Sequence, residues 1–293
     1  METSIAEAIL QAARQLRKAG VSEGRREAAS LMSHALQRDR SFVLSHADDP
    51  VSHEQLEFFL QCVKRRAHGE PLQYITAHQE FYGLDFEVTS DVLIPRPETE
   101  LLVETAIDLI KPYDRPPFIC DVGTGSGCIV IALLHELHHF PEARAIALDV
   151  SSAALSVARR NAMRHSLAQR IDFVVSDCFA ALDQTPVRPN FDLIVSNPPY
   201  VRESSLDGLQ KEVRDFEPRT ALVAGPDGLA IIRRLLLGAV SFLKPGGHIL
   251  FEIGFDQGEA VEQLIDRECW EILRVHEDLQ GIPRIVALRK PRE

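Results

Sequence analysis

The stretch Phe118-Ile119-Cys120-Asp121-Val122-Gly123-Thr124-Gly125-Ser126-Gly127 decides the fold. Its first five residues form a short apolar run of strand length. Glycines then alternate through a turn, and an apolar helical pattern follows from Ile129 to Leu137. Glycines recur this closely where the backbone turns sharply and a ligand must approach it. Outward from this turn, residues 145–149, 171–175, 191–195 and 248–253 read as further strands. They alternate with helical patterns from Ser152, over 227–243 and over 256–267. Lys244-Pro245-Gly246-Gly247 reads as a turn, and 270–276 and 284–288 as two closing strands. The spacing predicts an α/β fold with a doubly wound, mostly parallel sheet of seven strands and an antiparallel edge.

Upstream the pattern changes. Ser4-Ile5-Ala6-Glu7 and Ser52-His53-Glu54-Gln55 fit capping boxes, Ser22 is a candidate cap for a helix between them, and Gly20, Gly69 and Pro71 are stops. Residues 80–88 alternate as a hairpin, and Ile94-Pro95-Arg96-Pro97-Glu98-Thr99-Glu100 opens a helix through a rigid turn. The expected organisation is a helical domain over 1–78, a hairpin linker over 79–97 and an α/β domain over 98–293.

Lys and Arg total 32 against 43 Asp and Glu, a net charge of −11. That balance argues against a dedicated nucleic-acid binder, which draws most of its affinity from neutralising phosphates. Lys64-Arg65-Arg66 and Arg159-Arg160 read as solvated helix faces. The five cysteines are an odd number without metal-ligand spacing, so the expectation is a reduced, cytoplasmic protein with no metal. No apolar run is long enough for a membrane span, and the N-terminal helix lacks the apolar core of a signal peptide.

Three signals carry chemistry. A dinucleotide loop read from Gly123 requires Gly or Ala at 128, where this chain has Cys128. The spacing D-x-G-x-G-x-G instead resembles the S-adenosylmethionine loop of class I methyltransferases, which makes Gly123, Thr124, Gly125, Ser126 and Gly127 candidate donor contacts. Asp149 ends the second strand, where a carboxylate accepts from ribose hydroxyls, and Asp177 follows the third. Ser196-Asn197-Pro198-Pro199-Tyr200 follows the fourth strand. Prolines remove backbone donors and leave carbonyls free. The Asn197 amide oxygen and the Pro198 carbonyl would accept from the two hydrogens of a planar –NH2 group, with Pro199 and Tyr200 as flanking wall. Such a pocket suits methyl transfer to an amide or amine nitrogen, with Asn197 and Pro198 as catalytic acceptors. A donor-binding adaptor would be expected to have lost these groups.

The chain resembles the HemK-type protein-(glutamine-N5) methyltransferases that modify peptide chain release factors. The resemblance rests on Glu80-Phe81-Tyr82-Gly83, on residues 94–100, on the 121–127 loop and on Asn197-Pro198-Pro199-Tyr200. It continues through Glu217-Pro218, Ala221-Leu222 and Asp227-Gly228-Leu229. It implies S-adenosylmethionine as donor, the glutamine of the release factor Gly-Gly-Gln loop as acceptor, and a helical domain that docks the release factor. It also implies Cys178 as an adenine contact and Asn197 as a contact to both substrates. In this family a tryptophan stands at the position of Cys178, which leaves Phe179 as a substitute stacking surface. The expected species is a monomer without direct nucleic-acid contact. A ribosomal-protein glutamine methyltransferase and an adenine-N6 nucleic-acid methyltransferase share the pocket and are the alternatives.

Overall fold

The computed structural model describes residues 3–186 and 188–292, so the outermost residues of the expected first and last segments lie outside it. The chain divides into two compact units, Met1–His78 with Gln210–Phe216, and Gln79–Leu209 with Glu217–Glu293.

The first unit is helical: α1 (Ile5–Lys18), α2 (Gly24–Leu36), α3 (Arg40–Ser45), α4 (His53–Ala67) and α5 (Leu72–Thr76). At the start of α1, Ser4 and Glu7 cap reciprocally, and Gly20 closes its end at φ 91°. Ser22 does not cap α2. The helix opens one residue later, after Glu23, with no side-chain cap, and Gly24 sits tight against the Ala13 carbonyl and Arg17 of α1. Ser52 caps α4 by accepting from Gln55 N, and its hydroxyl donates to Gln55 Oε1 at 2.9 Å. Ala12, Ala13, Leu16, Leu31, Met32, Phe59 and Val63 fill the core of this unit.

Arg66 departs from the solvated face expected of 64–66. It is buried and paired with Glu27, and it reaches Glu212 at 2.8 Å. Lys211 Nζ donates to the His68 carbonyl at 2.9 Å. These two contacts draw Gln210–Phe216 into the helical unit, although the sequence pattern places that segment in the α/β region.

The second unit opens with a hairpin, β1 (His78–Phe81) and β2 (Leu84–Glu87), turned by Tyr82 and Gly83 at φ 53° and 71°. Helix α6 (Glu100–Ile110) follows a single 3-10 turn over Pro97–Thr99. Then come β3 (Phe118–Val122), α7 (Cys128–Glu136), β4 (Arg144–Asp149), α8 (Ser152–Arg164), β5 (Ile171–Val175) and β6 (Phe191–Ser196). A helix over Ala230–Phe242 leads into β7 (Leu243–Glu252), another over Gly258–Leu264 follows, and β8 (Glu271–Glu277) and β9 (Pro283–Arg289) close the chain.

The seven strands lie in the order β5-β4-β3-β6-β7-β9-β8. Pairing is parallel from β5 to β7 and antiparallel at β9 and β8. Every residue of β6 is buried, as a strand covered on both faces requires. Residues 244–247 are not a turn between elements but an irregular stretch inside β7. Leu243 pairs with Phe191, and His248 with Leu193. The excess residues bulge, and the bulge is held by Gly246 N to the Lys290 carbonyl at 3.0 Å and Lys290 N to the Gly247 carbonyl at 2.9 Å. Among the described residues, no helix is long and apolar enough to cross a membrane.

Candidate active site

The chain runs outward through β3, β4 and β5, then returns to the other side of β3 at β6. Ligands of open α/β sheets bind at such a switch point, beyond the carboxyl ends of the strands. The loops after β3 and β6 meet there, tied by the Ser196 hydroxyl donating to the Val122 carbonyl at 2.7 Å. They line a cleft of about 1020 Å³, open mouth included.

Gly123, Gly125 and Gly127 all have positive φ, at 77°, 54° and 81°, a region that side chains disfavour. A Cβ on Gly123 or Gly125 would meet nothing within 4 Å, so these two leave open space at the cleft. Gly127 differs. A Cβ there would come within 3.0 Å of Ile131 and 3.2 Å of Ala158, and the residue is absent from the cleft wall. Its lack of a side chain lets α7 pack closely against α8. Asp149 holds the loop from β4, accepting from Gly125 N and Ser151 N at 2.9 Å each. Burial pushes its carboxyl up from the ordinary range. Beneath the loop, Asp121 is fully buried and accepts from the Thr124 hydroxyl at 2.7 Å, and burial pushes its pKa up to about 7.

Gly123, Thr124, Gly125, Ser126, Asp149, Asp177, Cys178, Asn197, Pro198 and Pro199 share the cleft wall. Cys178 sits in the left-handed region at φ 50°, its carbonyl accepting from the Ser176 hydroxyl at 2.6 Å. That twist turns Phe179 the other way. Phe179 is buried on Phe242, with ring centroids 5.3 Å apart, and does not line the cleft as Cys178 does. Tyr200, expected as a flat wall, also lies off the cleft lining. It neighbours the Glu252 carboxyl, and its carbonyl accepts from Gln257 Nε2 at 3.1 Å.

Sequence reasoning missed the groups behind the wall. Asn197 Nδ2 donates to Thr99 Oγ1 at 3.0 Å, and the Thr99 hydroxyl donates to Glu252 Oε2 at 2.6 Å. Thr99 and Glu252 are 2% exposed. Because the Asn197 amide nitrogen is committed to Thr99, its oxygen is the end left for the cleft. Arg96, on the wall, donates to buried Glu217 at 2.6 Å, which joins the two motifs at 94–100 and 217–218. Asn161 ties the hairpin to the glycine loop. It exchanges bonds with the Glu87 backbone at 2.7 and 3.0 Å and donates to the Ser126 carbonyl at 2.9 Å. The segment after the hairpin lines the cleft through Asp91, Val92, Leu93, Pro95 and Arg96.

Gly228 supports Asn197–Tyr200 from outside. It has φ 73°, and a Cβ there would lie 2.3 Å from the Tyr200 carbonyl oxygen. Gly228→Ala is expected to destabilise the protein by about 1–3 kcal/mol through overpacking and to lower turnover, since the backbone beside Asn197 must shift. Thermal melting alongside initial rates checks this; an unchanged melt and rate would show that the loop yields freely.

A family model described as a methyltransferase domain matches residues 118–272, and one described as the PrmC N-terminal domain matches residues 7–76. Among solved structures, the hMettl16 catalytic domain in complex with a MAT2A 3'UTR hairpin superposes with TM-score 0.57 at 16% identity, covering 89% of this chain and 91% of that one. A methyltransferase from Pyrococcus furiosus superposes with TM-score 0.50 at 18% identity, covering 78% of this chain and 97% of that one. At those identities the likeness concerns the fold alone. Fold, loop and pocket together define a methyltransferase built on a doubly wound sheet. The release factor glutamine methyltransferase of Koribacter versatilis is 41% identical over 288 residues, 98% of this chain and 99% of its own. That of Moorella thermoacetica is 43% identical over 261 residues, 89% of each chain. The chain belongs to the release factor glutamine methyltransferase family.

Proposed function

We propose that this enzyme transfers the methyl group of S-adenosylmethionine to the side-chain amide nitrogen of the glutamine in the Gly-Gly-Gln loop of peptide chain release factors. The observation that carries the reading is the fixed Asn197 amide, oxygen end free, in the same cleft as the glycine loop and Asp149. The open space over Gly123 and Gly125 and the carboxylate of Asp149 fit the donor's methionine and ribose parts. When bound, S-adenosylmethionine supplies an activated methyl electrophile.

The chain's own residues supply alignment and electrostatics. An amide nitrogen is a poor nucleophile because its lone pair is delocalised, so holding it in line with the methyl group is a large part of the catalysis. Asn197 Oδ1 and the Pro198 carbonyl accept from its two N–H groups. As positive charge builds on nitrogen those bonds strengthen, so they favour the transition state over the ground state. The cleft's apolar side, from Val92, Pro95, Val122 and Ile129, limits water around the reacting atoms. In this reading the helical unit docks the release factor body, and the enzyme works as a cytoplasmic monomer that needs no metal.

The test is mass spectrometry of purified release factor incubated with the protein and S-adenosylmethionine. One added methyl on the Gly-Gly-Gln glutamine is the expected result. An unmodified glutamine, with the methyl appearing on a ribosomal protein or on adenine instead, overturns the acceptor.

A further inference from the structure

Three side chains far apart in sequence form one hydrogen-bonded chain behind the cleft: half-buried Asn197 and the buried Thr99 and Glu252. Each link has a direction. The Glu252 carboxylate accepts from the Thr99 hydroxyl. A hydroxyl has one hydrogen, so Thr99 then meets Asn197 only with a lone pair, and Asn197 must turn its NH2 toward Thr99 and its oxygen toward the cleft. We propose that Thr99 and Glu252 are positioning residues that set the polarity of the pocket: ionised Glu252 dictates the direction of the Thr99 hydroxyl, which dictates which end of the Asn197 amide faces the substrate. The inference rests on the reading of Asn197 as the acceptor for a substrate N–H group.

The reversed state has a definite chemistry. A protonated Glu252 carboxyl carries one O–H donor beside an acceptor oxygen, and in its donor orientation it gives that hydrogen to Thr99. The Thr99 hydrogen then points at Asn197, the amide rotates to offer its oxygen, and an NH2 group faces the substrate's own NH2. Donor meets donor, and binding and alignment both fail. Only the ionised form, which is acceptor-only, holds the pocket in one polarity, and burial favours the neutral acid.

The groups around Glu252 can be named. The bond from Thr99 favours the carboxylate, as do Arg284, neighbouring it from β9, and the nearby Tyr200; Glu98, from the turn before α6, opposes it. Burial outweighs the favourable contacts and leaves the Glu252 pKa up at about 7. Tyr200 is held protonated, its pKa pushed up to about 12 by burial and by Glu252, so it stays neutral while Glu252 titrates. Arg96 acts on Tyr200 rather than directly on the carboxyl. Asp121, beneath the glycine loop, also has a pKa of about 7, but it underlies the donor and not the Asn197 amide.

The experiment measures kcat against pH with purified release factor at saturating S-adenosylmethionine, which removes effects of Asp121 on donor binding. Wild type is expected to show an acid limb near neutrality, activity falling as pH drops through it. Glu252→Gln is expected to lack that limb. Thr99→Val, which keeps the volume and loses the hydroxyl, is expected to lower kcat on the order of 10²-fold, the cost of a misplaced reacting group, and Thr99→Ser to restore it. Calorimetric binding of S-adenosylhomocysteine reports whether each variant is folded. An acid limb that survives in Glu252→Gln, or a Thr99→Val within about twofold of wild type, overturns the relay. Asn197→Ala in the same assay keeps the two ideas apart. If it is inactive while the relay variants behave as wild type, the acceptor stands and the relay falls. If it is fully active, the acceptor falls first.

Discussion

Asn197→Ala is expected to lower kcat by about 10²- to 10³-fold, the range found when one preorganised transition-state partner is removed, with a much smaller change in KM. The asymmetry follows from when the bond matters. The amide nitrogen of the substrate is nearly neutral on arrival and becomes cationic only as the methyl group transfers, so an acceptor at its N–H group acts mainly in the transition state. Asn197→Asp gives a sharper comparison. It retains an oxygen for the substrate, yet it loses the NH2 that Thr99 accepts at 3.0 Å. The Thr99 hydrogen is already given to Glu252, so the new carboxylate faces a lone pair and sits near a second buried acid. The aspartate is therefore expected to recover little of the loss, although it differs from asparagine by one atom. Initial rates by mass spectrometry of the modified glutamine decide the matter. Near-wild-type turnover in Asn197→Ala would falsify the two-acceptor account of catalysis.

The framework of the sheet was legible because its signals are local. A run such as 118–122 followed by alternating glycines allows few conformations, and β5 begins and ends where the apolar run does. The misread segments share a cause, since distant partners decide them. Gly246 and Gly247 suggest a turn until Lys290 supplies two backbone bonds that carry the strand through. Arg66 resembles Lys64 and Arg65 in sequence, and only the fold supplies Glu27 and Glu212 to bury it. Much of the cleft wall was legible for similar reasons: positive φ at Gly123 and Gly125 and the placement of Asn197, Pro198 and Pro199 directly after a strand are properties of a few adjacent residues.

The groups that orient the wall were not legible. Thr99 reads as part of a helix start and Glu252 as the end of a strand, and nothing in either neighbourhood announces the other 153 positions away. Phe179 misleads in the opposite sense. It neighbours a cleft residue, but the left-handed twist at Cys178 sends it into the core. Side-chain direction across an irregular loop depends on one backbone angle that composition does not reveal.

Glu252→Gln is expected to gain stability over wild type as pH rises, by about 3 kcal/mol between roughly pH 5 and pH 8. In the unfolded chain Glu252 titrates as an ordinary glutamate, whereas folding buries it and raises its pKa to about 7. The folded state thus binds the proton more tightly. The stabilisation is complete below the unfolded pKa and is lost as pH rises through the folded one. Glutamine has no proton to lose, so it escapes this decline. Asp121, whose pKa is also raised to about 7, and Asp192, whose pKa is lowered by its bonds from Arg115 and Lys244 despite burial, titrate alike in both proteins and cancel in the difference. Urea unfolding of the two proteins across the range measures it, and parallel curves would show that Glu252 is ordinary in the folded state. The sign is what gives the residue its interest. Stability favours the protonated acid, while the orientation of Asn197 requires the ionised one. For packing alone, glutamine at 252 would fill the same space without the stability that glutamate loses on ionising. A carboxylate retained against that gradient is expected where its charge does something glutamine cannot, and here the charge sets the direction of the Thr99 hydroxyl.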